Sequence, residues 1–271
     1  MVNVRTFIFS DEKVFKFDDL EHEQRTKPTL LMIHGFGGCA PLSYPIYKLL
    51  VDHFRIVAID MLGYGSSTRV EIKEEILSFP SATDTFQVSW LTAWLNQMSL
   101  NSEMPEKFFL HGHSYGGYIS SIFACAHPDR VAGLFLNSAI GAEAEPPEYD
   151  PHKIRLSSFD QGPPPDYIAR FWKNEWENKR TPLDTFRALP LCIADRLGTF
   201  AVNRDLEGYP VRHCEIVKRY YMNVLKLGTS GTEKALTATF KYGCYPYHCL
   251  TEVDRLGNPN LPFPVAFLYG D

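Results

Sequence analysis

"GHSYGG", residues 112–117, sets a serine between two glycines directly after the apolar run "KFFLH" of 107–111. A short continuous apolar run of this kind is the pattern of a strand buried on both faces, and the residues that follow, 114–126, have helical spacing. Passing from strand to helix within a single residue requires a very sharp turn. Glycines at 112 and 116 leave no Cβ to collide with the neighbouring strand or helix. Ser114 is therefore expected to carry its hydroxyl clear of the backbone at the carboxyl end of a strand, where open α/β sheets gather their reactive groups. The first amides of the helix would then face a reacting carbonyl and favour negative charge there.

The same apolar pattern recurs at 29–33, 55–59, 131–136 and 264–268, and residues 4–10 and 13–17 read as a hairpin. Helical spacing occupies 44–53, 84–98, with Asp84 in N-cap position, and 114–126. Strand and helix in turn imply an α/β fold: a mostly parallel sheet with right-handed crossovers and helices on both faces. Between about 141 and 259 the alternation stops. Pro146-Pro147 and Pro163-Pro164-Pro165 mark loops, and 167–178 and 211–227 are helical with no strand between. The expected organisation is core at 1–140, an inserted helical cap at 141–259, and a return strand within 260–271. Ile168, Phe171, Trp172 and Trp176 form an apolar stripe at helical spacing. Such stripes mostly pack a core, and over a lipid-binding site they can also line an acyl-chain tunnel or touch a membrane.

At 271 residues, 45% hydrophobic and 22% charged, the chain has the composition of one large globular domain, and its net charge of −5 argues against a nucleic-acid partner. The N-terminus has no basic region followed by a long apolar core, and no run approaches the ~20 apolar residues of a membrane span. A cytoplasmic protein is expected, at most peripheral to membranes or lipid droplets. The six cysteines are expected as reduced thiols. Cys244, His248 and Cys249 lack a second ligand pair, so neither metal nor cofactor is expected.

A second glycine-rich turn, "HGFGG" at 34–38, follows the strand at 29–33. An oxyanion hole needs one amide from the residue after the nucleophile and another from a separate loop, which points to the backbone N–H groups of Tyr115 and Phe36. Gly35 and Gly37 allow that turn, and His34 is expected to hydrogen-bond it into shape. Asp60, in "DMLGYGSS" at 60–67, reads as a structural residue bonding loop amides rather than as a catalytic acid. No histidine presents itself as the base. His111 and His113 flank the serine on a strand, His127 precedes Pro128 at a helix end as a cap, and His22, His53, His152, His213 and His248 have no motif around them.

"HGFGG", "DMLGYGSS" and "GHSYGG", in this order and spacing, resemble the α/β-hydrolase fold family. "TPLDTFRALP" (181–190), "GTSGTEKAL" (228–236), "YGCYP" (242–246) and "PVAFLYGD" (264–271) resemble the cap and penultimate strand of one lipid-acting subgroup. That subgroup contains N-acyl-phosphatidylethanolamine lysophospholipase, mitochondrial cardiolipin deacylase and the co-activator of adipose triglyceride lipase. "GTSGTEKAL" carries one residue more than the subgroup's Ser-Gly-Glu segment. The resemblance implies a serine esterase acting on a lipid ester by a two-step acyl transfer. It also implies that the triad acid, three positions after Gly270, and the later histidine lie beyond residue 271, leaving this chain a C-terminally incomplete and nearly inactive hydrolase. Two alternatives stay open: a non-catalytic lipase co-activator or pseudoenzyme, and a peptidase of the proline-iminopeptidase type.

Overall fold

The apolar runs pair edge to edge in a computed structural model that describes residues 2–9, 27–147 and 166–270. Its strands are β1 (Thr6–Phe9), β2 (Thr29–Ile33), β3 (Arg55–Ile59), β4 (Phe108–His113), β5 (Val131–Asn137) and β6 (Val265–Leu268), in the order β1-β3-β2-β4-β5-β6. Only β1 runs antiparallel to its neighbour. Ile33 pairs with Gly112, so β2 and β4 end level and the turns that follow them lie side by side.

Every residue of β2 and β3 is buried. One face, with Leu31, Ile33, Val57, Ile59, Leu110 and Leu136, packs under the helices; the other, with Leu30, Met32, Ile56 and Ala58, packs on Tyr47. The expectation of burial on both faces fails for β6. Its residues are half-buried or exposed because, among the described residues, β5 is its sole strand neighbour. The second arm of the expected hairpin, 13–17, lies outside the described residues, as does Pro163-Pro164-Pro165.

Helices α1 (Tyr44–Leu50), α2 (Glu74–Leu77), α3 (Pro80–Leu100) and α4 (Tyr115–Ala126) belong to the first half. Helix α1 stops three residues short of the expected end, where the chain turns. Helix α3 starts four residues earlier than the spacing suggested, because Pro80 suits the first turn, whose N–H groups have no helical partner. Asp84 is consequently not a cap. It sits buried in the second turn, accepting from the Tyr118 hydroxyl at 3.1 Å and from Arg255 at 2.7 Å. This ties the segment before β6 to the core, and burial raises the Asp84 carboxyl pKa despite the arginine.

Between β5 and β6 the described elements are helical: α5 (Asp166–Glu177), α6 (Pro182–Arg187), α7 (Leu191–Asp205), α8 (Val211–Lys226) and α9 (Gly231–Thr239). Thr181 and Asp184 close a capping box at the start of α6, each side chain accepting the other's amide. Helix α9 differs from the other four in being embedded in the core. Leu236, Phe240 and Leu250 join the cluster under the sheet, and a Cβ at Gly63 would collide with Ser230 and Thr232. Fully buried Glu233 is held between Arg69 of the core loop and Arg187 of α6, the latter at 2.7 Å. The "TPLDTFRALP" and "GTSGTEKAL" segments thus form one buried charge cluster that fixes α6 over the sheet. Trp176 donates from its indole to the Phe240 carbonyl at 2.8 Å and packs on the core, whereas Trp172 meets Phe171 edge to face.

Removing the carboxylate from this cluster leaves two partly buried guanidinium groups facing each other. Glu233→Ala is expected to cost roughly 3–5 kcal/mol, a loss read as a lower urea midpoint. Glu233→Gln, which keeps the hydrogen-bonding shape, is expected to cost less.

Candidate functional site

Ser114 adopts φ 52° and ψ −119°, a conformation that L-residues rarely take. Its own backbone bonds hold it there. The Ser114 amide donates to the Asn137 carbonyl at 3.0 Å, and its carbonyl accepts from Gly117 at 2.9 Å and from Tyr118 and Ile140 at 3.3 Å. Both flanking glycines sit where a side chain has no room. A Cβ at Gly112 would stand 2.5 Å from the Gly116 carbonyl oxygen, and one at Gly116 would overlap the carbonyls of Ile33 and His34. The start of α4 is thereby pressed against the end of β2.

That contact brings the two glycine-rich turns together. A Cβ at Gly35 would lie 3.1 Å from the Ser114 Cβ, and Gly37 takes a positive φ of 71°, which bends the turn away. Neither the Phe36 nor the Tyr115 amide donates to another described residue. The Tyr115 amide opens α4, whose N-terminal amides carry partial positive charge. The Tyr115 ring is fully buried, with its hydroxyl bonded to Gln87 at 3.1 Å. The Ser114 side chain is half-buried.

His34 is buried and bridges two chain segments. The Met61 amide can only donate, so His34 Nε2 accepts from it at 2.9 Å and Nδ1 carries the proton given to the Gly35 carbonyl at 2.7 Å. A neutral ring fits these partners. Burial pushes the His34 pKa down to about 4. Asp60 is buried as well, accepting from the amides of Ala40 and Ser66 at 2.8 Å each, while its carbonyl takes the Ser67 hydroxyl at 2.6 Å. Its carboxyl reaches the loops and not Ser114, and burial raises its pKa.

Of the remaining histidines, His113 lies beside the second turn, where a Cβ at Gly35 would stand 3.0 Å from its Nδ1, and burial lowers its pKa; the others are placed elsewhere. His111 is half-buried in β4 with Nδ1 unpartnered among the described residues, and burial lowers its pKa to about 4. His127 follows α4 and its Nε2 meets the Thr92 hydroxyl at 2.8 Å; His213 stacks on Tyr209; His248 lies 3.8 Å from Asp84. Among the described residues no imidazole or carboxylate hydrogen-bonds the Ser114 hydroxyl. His22 and His152 lie outside those residues.

Three contributors were not legible in the motifs. The Tyr220 hydroxyl on α8 donates to the Gly38 carbonyl at 2.6 Å, and Leu183 and Tyr221 approach Gly37, so helices α6 and α8 rest directly on the second turn. From there an apolar cavity of about 330 Å³ opens, running from Phe36 and Gly37 past Leu183 and Phe186 to Val202 and Leu206. Helical spacing gave α8, but which of its residues meets a turn some 180 positions earlier in the chain depends on the packing.

The profile of the alpha/beta hydrolase fold matches residues 28–234. The 1-acylglycerol-3-phosphate O-acyltransferase of Arabidopsis thaliana is 25% identical over 248 residues, which are 90% of this chain and 54% of the relative. The (lyso)-N-acylphosphatidylethanolamine lipase of Homo sapiens is 29% identical over 133 residues, 49% of this chain and 36% of the relative. The chain spans about half the length of the curated relatives it matches. Among solved structures, the 2-hydroxy-6-oxo-6-phenylhexa-2,4-dienoate hydrolase of Rhodococcus sp. strain RHA1 superposes with a TM-score of 0.57 at 19% identity, over 99% of this chain and 77% of that one.

Two outcomes check the geometry. Gly116→Ala forces a methyl into backbone and is expected to cost about 3 kcal/mol or more, whereas Gly198→Ala, with nothing within 4 Å of its Cβ, serves as a tolerated control. Because unfolded histidine titrates near 6.5 and folded His34 near 4, the unfolded chain binds the extra proton between those values. Stability is therefore expected to fall as pH drops from about 6.5 to 4, and less steeply in His34→Asn, as followed by urea midpoints across pH.

Proposed function

Because the chain belongs to the alpha/beta hydrolase fold family, we propose that it is a serine hydrolase acting on carboxylic esters of lipids, with Ser114 as nucleophile and the Phe36 and Tyr115 amides as oxyanion donors. The observation that carries the lipid reading is the apolar cavity that begins at Phe36, beside the reacting position, and is lined by Leu183, Phe186, Val202 and Leu206. At about 330 Å³ it falls within the size range of small-molecule sites, and its lining suits an acyl chain, which gains from burial and asks for few polar partners. The lipase names among the relatives support the same substrate class.

In this reading the Ser114 oxygen attacks the ester carbonyl as its proton passes to a histidine. The Phe36 and Tyr115 amides take the negative charge that develops on the carbonyl oxygen. Collapse expels the alcohol, which leaves with the proton, and water then releases the fatty acid from the acyl-enzyme. The chain's own contribution is the strained turn that presents the hydroxyl, the donor pair, and the apolar channel. The histidine and its orienting acid come from outside the described residues; without them Ser114 is a weak nucleophile, and a chain lacking a triad member loses roughly four to six powers of ten in turnover.

The Arabidopsis and rice relatives support a second reading in which the acyl-enzyme passes its acyl group to a lysophospholipid hydroxyl instead of water. Supplying 1-acylglycerol-3-phosphate together with an acyl donor separates the two: diacylated product marks transfer, free fatty acid marks hydrolysis.

Fluorophosphonate labelling of the full-length protein, expected to vanish in Ser114→Ala, tests the nucleophile. Labelling that survives the substitution, or none at all, would sink the serine reading. Val202→Phe narrows the cavity without touching the turns and is expected to raise KM for long-chain esters roughly tenfold while sparing short ones. An unchanged chain-length profile would place the acyl chain elsewhere.

A further inference from the structure

Helix α7 is apolar on two sides, and packing explains one of them. Ala194, Gly198 and Val202, four residues apart, turn inward; Ala194 and Val202 are buried, and Gly198 and Val202 line the cavity. Ile193, Leu197 and Phe200 recur at the i, i+4, i+7 spacing of a different stripe and are exposed by 44%, 44% and 64%. An isolated exposed leucine needs no explanation, but three large apolar side chains in register on one helix do. Helix α8, packed against α7, carries its own outward stripe of Arg212, Ile216 and Arg219, all exposed, with exposed Glu215 on the same face, and Arg196 adds a further exposed cation on α7. The hairpin 191–226 holds six Lys and Arg against four Asp and Glu in a chain of net charge −5. The stripe of Ile168, Phe171, Trp172 and Trp176 on α5 is a different one, and its Trp176 packs on the core.

We infer that the α7–α8 hairpin is a docking face for an anionic lipid surface, with Ile193, Leu197 and Phe200 entering the headgroup boundary and Arg196, Arg212 and Arg219 meeting lipid phosphates or carboxylates. Two observations favour a lipid surface over a second protein copy. Exposed arginines beside an apolar stripe complement an anionic interface, and they outnumber the one exposed carboxylate, Glu215, on the α8 face. The stripe is also separated from the cavity by the thickness of a single helix, so docking there places lipid acyl chains one helix away from the apolar cavity that begins at Phe36 and Gly37. No described helix is long and apolar enough to cross a membrane, and the face implies contact in the plane of the surface. The inference rests on the lipid-ester reading only for the use such docking would serve; binding itself needs no catalysis.

The test is sedimentation of the full-length protein with vesicles of phosphatidylcholine alone and of phosphatidylcholine with phosphatidylserine, in wild type and Ser114→Ala. Both proteins are expected to bind the anionic vesicles equally, more weakly at high salt, and to bind the neutral vesicles less. Leu197→Asp with Phe200→Asp is expected to reduce partitioning at least tenfold or so. Arg212→Gln with Arg219→Gln should lose the preference for phosphatidylserine. Circular dichroism and thermal unfolding should stay unchanged in both pairs, since all four side chains are exposed. Undiminished vesicle binding by the Asp pair overturns the inference. So does a wild-type dimer in light scattering that the Asp pair converts to monomer without any vesicle binding, an outcome that assigns the stripe to a second copy. Vesicle binding with no fluorophosphonate labelling would remove the catalytic reading and leave the docking face standing.

Discussion

The backbone of Ser114 is held where a serine does not rest by choice, and much of the site's geometry depends on that. A conformation with φ 52° costs about 1–3 kcal/mol, which must be offset by surroundings that over-determine it. The offsets are visible: an amide bonded to β5, a carbonyl shared by three amide donors, and two glycines packed so closely to backbone that no other residue fits. The turn in exchange sets Ser114 at the end of β4, directly before the first amide of a twelve-residue helix.

The second turn inherits its position from the first. Gly116 abuts the carbonyls at the end of β2, so residues 34–38 begin where α4 begins, and the level register of β2 and β4 places Gly35 against Ser114. Neutral His34 and buried Asp60 then shape that turn, one joining Gly35 to Met61 and the other joining Ala40 to Ser66. Both are polar groups whose burial is tolerated because each has its hydrogen-bond partners. The helices above rest on the finished turn through Tyr220, and Glu233 with its two arginines keeps them from drifting. An apolar channel ending at Phe36 is the space left between a turn fixed from below and helices fixed from the side.

Much of the sheet was legible in the sequence, since buried strands announce themselves as apolar runs and the limits of β2 and β3 follow from composition alone. The errors occurred where local pattern met a competing constraint. Asp84 looks like a cap because aspartate at a helix start usually is one; Pro80 began the helix a turn earlier, and Arg255, distant in sequence, gave the carboxylate a buried partner. The strand at 264–268 looks doubly buried, yet its place at the sheet edge leaves it half covered.

By itself the sequence determined the alternation of strand and helix, the serine between its glycines, and the second glycine turn, because each is a constraint on consecutive residues: periodicity, steric room, and turn geometry act within a few positions of the chain. Tertiary structure alone decided that Tyr220 clasps Gly38, that Glu233 lies between Arg69 and Arg187, and that one side of α7 lines a cavity while the other meets solvent. These are relations between residues tens to hundreds of positions apart, set by how whole elements pack, and no local pattern encodes which face of a helix will find which partner.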